Sequence, residues 1–436
     1  MTLPRILAIM GSGETAPTMV STHRRLTSLL PSPVRAVVLD TPYGFQENAP
    51  ELAQRAVDYF ATSVNVDLRI AGLTRMQTND HGESADAVTI EKGLRMIDDA
   101  DYVFAGPGSP TYSLRQWNNT PLRAMLIQKL TSGGVVTFAS AAALTLGRRT
   151  VPVYEIYKAG VDPYWLEGLD ILGEFGIRAT VIPHFDNAEG GHHDTRFCYL
   201  GERRLQILER HFDDDEFVIG VDEHTGLVID FDREVAEVVG NSTVTLRKNS
   251  QQRTFTKGDS IPLTELRQPS WMTTTNTDQR SPRTPSDASS IRRSADGAVD
   301  TAAELEPSSL GAAVDVHRAA FDAAVDRMDA DAAVGAVLAL ESAIRAWSAD
   351  TLQSPDRDRA VATLRLMISK LGEVATGGLR DPRSVAEPFV SGFLAVRAVV
   401  RAEKRFDLSD LVRDQLLAAG IEVRDTKDGV EWVLRS

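Results

Sequence analysis

Three residues in the first half of the chain have types and an order that suit acyl-transfer chemistry: Ser140, Glu155 and His184. Ser140 lies inside VVTFASAAALTL, where an apolar β-branched run gives way to a helix-favouring one. A serine on a sharp strand-to-helix turn has its hydroxyl pushed clear of the sheet, with the following backbone N–H groups facing a developing oxyanion. Such a serine needs a base within hydrogen-bond reach, and a carboxylate to hold the imidazole tautomer and stabilise the imidazolium. His184, at the end of RATVIPHFDN, supplies the base, and Glu155, fifteen residues after the serine, supplies the acid. The order serine, acid, histidine is one used on α/β sheets. The N–H of Ala141, with that of Gly108 or Ser109 in the GPGSPT loop, would form the oxyanion hole.

Other candidates carry weaker signals. His184, Asp186, His192, His193, Asp194 and Cys198 are dense enough to suggest a divalent cation, but a polar loop beside a site is the simpler expectation, so neither metal nor cofactor is called for. Cys198 reads as a packed small apolar residue. Asp222 and Glu223 either line a substrate pocket or cap a turn. Arg148, Arg149 and Arg196 would bind a substrate carboxylate if they face the site, and Asn187 is counted with the substrate-binding residues. Gly11 and Gly13 in MGSGE suit either an anion at a helix start or tight turn chemistry.

The elements that must position these residues follow from periodicity. RILAIM, VRAVVLD, VDLRIAGL, DYVFAG and VVTF read as buried strands separated by amphipathic helices, which is the pattern of a parallel sheet covered by helices on both faces. In such sheets functional loops lie at the carboxyl ends of strands, where the Gly11 turn, the Gly106–Thr111 loop and Ser140 all fall. VIGVDEHTGLVID reads as a strand pair around Asp222–Thr225, and the stretch after it as an antiparallel ribbon turning at Asn249-Ser250. From about Arg267 the chain turns rich in Ser, Thr, Pro, Asp and Arg, as a flexible linker would. Beyond it, apolar residues recur at three- and four-residue spacing through several helices. The last helix has Asp407 as N-cap and Gly420 as its stop, and is followed by a hairpin turning at Asp428-Gly429.

Composition bounds the function. With 436 residues the chain is long enough for two or three domains. A formal charge of −14 argues against a general nucleic-acid binder. One cysteine rules out an internal disulfide and a cysteine-built zinc site. No apolar run is long enough to span a bilayer, and the N-terminus lacks the marks of a signal peptide, so a cytoplasmic protein with no membrane partner is expected.

Residues 1–265 resemble the peptidase E and cyanophycinase family of serine peptidases, which has a class I glutamine amidotransferase-like fold. The resemblance rests on MGSGE, GPGSPTYSL, ASAAA at the elbow, PHFDN, and GERRLQIL followed by VIGVDEHTGLVI. It implies Ser140 as nucleophile, Glu155 as acid and His184 as base, acting on a small peptide, isopeptide or amide substrate. Phe138 and Ala142 stand where the family has elbow glycines. The later part, 306–390 and 391–436 after a linker at 266–305, resembles the C-terminal helical and tail regions of cysteinyl-tRNA synthetase. LESAIRAWSADTL, LRLMISKLGEVA and FLAVRAVVRAEKRFDLSDLVRDQLLAAGIEVRDTKDGVEWVL carry that likeness. The synthetase's HIGH and KMSKS-type motifs have no counterpart, so no aminoacyl-adenylate chemistry is expected. Arg397, Arg401, Lys404 and Arg405 would give a short basic helix face. The expectation is thus an α/β hydrolase domain followed by a helix bundle with a small β tail, with a homodimer as one possible assembly. The alternative is a catalytically inactive module that binds tRNA or a protein through the C-terminal region.

Overall fold

The structure, a computed structural model, describes residues 2–78, 86–188, 193–272, 307, 309–347, 355–377, 382–426 and 429–435. The chain divides into two compact units: Met1–Ser308 with Arg345–Ser354, and Ser309–Ile344 with Pro355–Ser436.

The first unit is built on fourteen strands among the described residues: β1 (Arg5–Met10), β2 (Ala36–Leu39), β3 (Leu68–Ile70), β4 (Tyr102–Ala105), β5 (Gly134–Ala139), β6 (Arg149–Thr150), β7 (Leu166–Glu167), β8 (Ala179–Ile182), β9 (Phe217–Val221), β10 (Thr225–Asp230), β11 (Val235–Gly240), β12 (Thr243–Lys248), β13 (Gln251–Thr256) and β14 (Ser260–Pro262). Eight of them form one sheet in the order β14-β11-β10-β1-β5-β4-β2-β3. The five from β1 to β3 are parallel, and β10, β11 and β14 extend the sheet antiparallel. Because side chains alternate along a strand, the parallel strands feed two cores. Leu7, Ile9, Val37, Val103, Val136 and Phe138 enter one. Ile6, Ala8, Met10, Val38, Phe104 and Val135 enter the other. Burial on both faces is why these strands read as continuous apolar runs rather than alternating ones.

A second, four-stranded sheet has the order β13-β12-β9-β8, with β8 and β9 parallel. This corrects one expectation. β9 and β10 are not a hairpin; they belong to different sheets, and Asp222–His224 is the link that carries the chain from one to the other. The expected turn at Asn249-Ser250 does join β12 to β13, with both residues at positive φ (49° and 66°), as a two-residue hairpin turn requires.

The unit does not stop at residue 265. The helix Leu263–Arg267 crosses that boundary with Leu266 fully buried, and Trp271 packs against the main core. The rest of the expected linker, 273–305, lies outside the described residues.

The second unit is mainly helical, with Leu310–Asp326, Pro355–Gly377, Pro382–Ala402 and Phe406–Ala418 followed by the antiparallel pair β15 (Ile421–Thr426) and β16 (Gly429–Leu434). The helix Pro382–Ala402 runs through the expected 390/391 boundary without a break. Asp407 lies in the first turn of the last helix rather than at its N-cap, which is Arg405. Gly420, at φ 81°, ends that helix as expected. Asp428 lies outside the described residues. No helix of the structure is long and apolar enough to cross a membrane among the described residues.

Candidate active site

Strand β5 ends at Ala139 in extended conformation, and Ser140, at φ 48°, opens the short helix Ser140–Leu144. A left-handed non-glycine residue costs about 1–2 kcal/mol, and such strain gathers at functional turns. Phe138 does not crowd this turn. Its side chain is fully buried in the core on one face of the sheet, 5.9 Å from the Trp117 ring. Ala142 is also fully buried, and its N–H donates to the Gly106 carbonyl at 3.2 Å.

His184 follows β8, also in left-handed backbone at φ 47°, with only 8% of its surface exposed. Its Nε2 lies 3.0 Å from Ser140 Oγ. Its Nδ1 lies 2.8 Å from Glu223 Oε1. A carboxylate only accepts, so Nδ1 carries the proton and Nε2 is left to accept from the serine hydroxyl. Burial works against ionisation of Glu223, but the bond from His184 and the charge of His184 and His224 outweigh it and hold the carboxyl below its ordinary range. Two parallel neighbours, β8 and β9, finish on the same side, which places His184 beside Glu223; the Phe185 N–H to Val221 carbonyl bond, 3.2 Å, extends their pairing to that point.

The carboxylate on His184 is therefore Glu223, not the expected Glu155. Glu155 sits half-buried in the helix Val153–Tyr157, and its Oε2 has no hydrogen-bond partner among the described residues. Spacing from the serine pointed to Glu155; what decides is strand adjacency, because β9 lies against β8.

The expected oxyanion donors separate. The Ser109 N–H is taken by the Pro42 carbonyl at 2.8 Å, and its hydroxyl accepts the Tyr112 N–H as the cap of the helix Pro110–Trp117. Ser109 thus has no amide to offer. Ala141 is in the first turn of its helix, where no intrahelical carbonyl can reach the N–H. Gly108 lies at φ 139°, and a Cβ there would come 2.0 Å from the Pro42 carbonyl oxygen, so only glycine fits.

The MGSGE turn resolves in favour of packing. Gly13, at φ 63°, lets the His224 ring lie where a Cβ would come 2.0 Å from its Nδ1. Ser12 carbonyl accepts the His224 N–H at 3.2 Å, and Gly11 donates to Thr225 at 2.9 Å. The turn after β1 thus clasps the link that carries Glu223.

None of the three arginines expected to bind a substrate carboxylate has an uncommitted head group. Arg148 pairs with Asp213 at 2.9 Å, Arg149 with the buried Glu216 at 3.0 Å, and Arg196 with Asp194 through two bonds of 2.9 and 3.0 Å. Asn187 is almost fully buried, and its Nδ2 approaches Glu223 Oε1 at 3.5 Å. Asp222 Oδ2 accepts from Ser242 Oγ, Thr243 N and Thr243 Oγ1 at 2.7, 3.0 and 2.6 Å.

No group of three or more His, Cys, Asp or Glu side chains is arranged to hold a metal among the described residues, and His192 lies outside them. Cys198 is buried beside Phe185 and Phe197, and burial pushes its thiol up. In the second unit, Arg397 is buried and grips Asp425 through two bonds of 2.8 and 2.9 Å, and Arg401 adds a third at 2.9 Å. Half of the expected basic face is therefore committed within its own unit.

A doubly sheeted α/β unit with a serine, a histidine and a carboxylate joined at strand ends is the class this architecture defines. Comparison with known proteins bears on both parts of the chain. No family model matches it. A crystal structure of a peptidase from an acI-B1 actinobacterium aligns with 60% of this chain and 98% of its own, at 22% identity and a TM-score of 0.47. A Listeria monocytogenes EGD-e protein provisionally assigned to peptidase E aligns with 55% of this chain at 13% identity and a TM-score of 0.35. The C-terminal region is similar to cysteine–tRNA ligases. That of Chlorobium luteolum is 45% identical over 76 residues, 17% of this chain and 15% of the ligase. That of Porphyromonas gingivalis is 30% identical over 129 residues, 28% of this chain and 25% of the ligase. The chain thus spans a quarter or less of the length of these two ligases.

Proposed function

We propose that the first unit is a serine hydrolase of amide or peptide bonds, with Ser140 as nucleophile, His184 as base and acid, and Glu223 as the orienting carboxylate. The observation that carries this reading is the unbroken hydrogen-bonded line from Ser140 Oγ through His184 to Glu223. Ser140 Oγ attacks the carbonyl carbon while its proton passes to His184 Nε2. Glu223 stabilises the imidazolium. The oxyanion meets the Ala141 N–H, with the Gly108 N–H as the proposed second donor. His184 then protonates the leaving amine as the C–N bond breaks, and a water deprotonated by the same nitrogen releases the acyl group from Ser140. The arginine pairings disfavour recognition of a substrate carboxylate by Arg148, Arg149 or Arg196.

A fluorophosphonate probe tests the reading. The expected result is stoichiometric labelling of the wild-type chain at Ser140 and none of Ser140→Ala, with both proteins folded by circular dichroism. An unlabelled, folded wild type would overturn it.

A further inference from the structure

Glu223 is the first residue after Asp222 on a link between two sheets, where no ladder fixes its backbone. Its neighbours are held from elsewhere: Asp222 by Ser242 and Thr243, and His224 by the Ser12 carbonyl. The Glu223 N–H instead donates to Asp186 Oδ1 at 2.8 Å. Asp186 is two residues beyond His184 in the same turn, whose shape is fixed by the Asn187 N–H to His184 carbonyl bond, 3.2 Å. The contacts close a ring: from His184 along the turn to Asp186, across to the Glu223 backbone, and back through the Glu223 carboxylate to His184 Nδ1.

We propose that Asp186 is the positioning residue of this site: by accepting the Glu223 backbone N–H, its side chain sets the Glu223 carboxylate against His184. This deepens the hydrolase reading and rests on it for its catalytic meaning, but the ring itself exists in the resting protein. Asp186 lies at the surface with its carboxyl only partly withdrawn from water, so this single bond adds modestly to overall stability. Its loss is felt in the geometry of the pair it aligns, where a displacement of about 1 Å costs up to about 100-fold in rate. Asparagine keeps an acceptor oxygen at the same place; alanine does not.

The test uses the full chain and two readouts. The first is the downfield Nδ1 proton resonance of His184 in the resting protein, assigned by its loss in His184→Gln. The second is the rate of fluorophosphonate labelling. Asp186→Ala is expected to broaden or abolish the resonance and to slow labelling about tenfold to 100-fold, while its melting temperature stays within a few degrees of wild type. Asp186→Asn is expected to restore both readouts to within about threefold of wild type. The proposal is overturned if Asp186→Ala leaves the resonance and the rate intact, or if Asp186→Asn is as impaired as the alanine variant. The resonance is independent of hydrolysis, so an unlabelled wild type that retains an Asp186-dependent resonance removes the hydrolase reading and leaves the positioning role standing.

Discussion

Glu223→Gln is the perturbation that isolates the role of the carboxylate. The substitution keeps the shape of the side chain and removes its charge. Asn187 Nδ2 faces the same Glu223 oxygen that His184 Nδ1 meets, so the new amide is held with its oxygen toward the histidine and the tautomer survives. What is lost is the attraction between carboxylate and imidazolium as the proton moves to Nε2. Charge centres about 4 Å apart at an effective dielectric of about 20 interact by about 4 kcal/mol. At about 1.4 kcal/mol per decade, that is a loss of about a thousandfold in rate. The assay is the second-order rate constant for fluorophosphonate inactivation, measured beside thermal melting to confirm the fold. Glu155→Gln serves as the contrast and is expected to stay within about threefold, since Glu155 has no bond to His184. Retention of the wild-type rate by Glu223→Gln, or collapse of the rate in Glu155→Gln, would refute the assignment of the carboxylate.

Three further outcomes follow from packing and charge. Arg247, almost fully buried, pairs with Glu209 and Glu202 at 3.0 and 2.7 Å and lies over the Phe197 ring; Arg247→Met strands the buried Glu209 charge and should cost about 3–5 kcal/mol in urea unfolding. Gly13→Ala should destabilise by well over the ~1 kcal/mol of an ordinary left-handed alanine, because its methyl meets the His224 ring; unfolding midpoints check it. Partial desolvation of the carboxyl, joined by the charges of Asp222 and Glu223, pushes Asp186 up to about 6. A raised acid pKa means the folded state binds more protons than the unfolded one, so this group destabilises above about pH 6 and ceases to do so as pH falls below its unfolded value near 4. Asp186→Asn should therefore melt above wild type at pH 7.5, with the gap closing by pH 4. A constant gap across that range would show that the charge is not its source.

What the sequence made legible depended on whether the information was local. Strands β1, β2, β4 and β5 are largely apolar on both faces and separated by helices with one apolar stripe, and each of these signals is contained in its own segment. The elbow at Ser140 was visible because a β-branched run ends and an alanine-rich one begins within two residues. The histidine was visible because a strand pattern stops just before it. The donor Ser109 was misjudged because its N–H is consumed by Pro42, a residue of another strand end. The pairings of Arg148, Arg149 and Arg196 are illegible for the same reason: a free guanidinium and a paired one are identical in sequence.

The acid is the instructive case. Glu155 and Glu223 are both carboxylates near the end of an apolar segment, and one-dimensional spacing favours the one closer to the serine. The choice is made by a pairing between β8 and β9, two strands separated by a helix and a long polar stretch, which brings the end of β9 beside His184. DEHTG, following VIGV, gives no local sign of this: a short Asp-Glu-His loop suits a hairpin equally well, and only the assembled fold shows it passing between two sheets. Such a link is pinned from several sides. Ser12, Asp186, Ser242 and Thr243 do the pinning, each from a different part of the chain. A carboxylate held in that way has its direction set by its surroundings, which is what a tautomer-fixing group requires; one on a short helix with an unpartnered oxygen, as Glu155 is, does not.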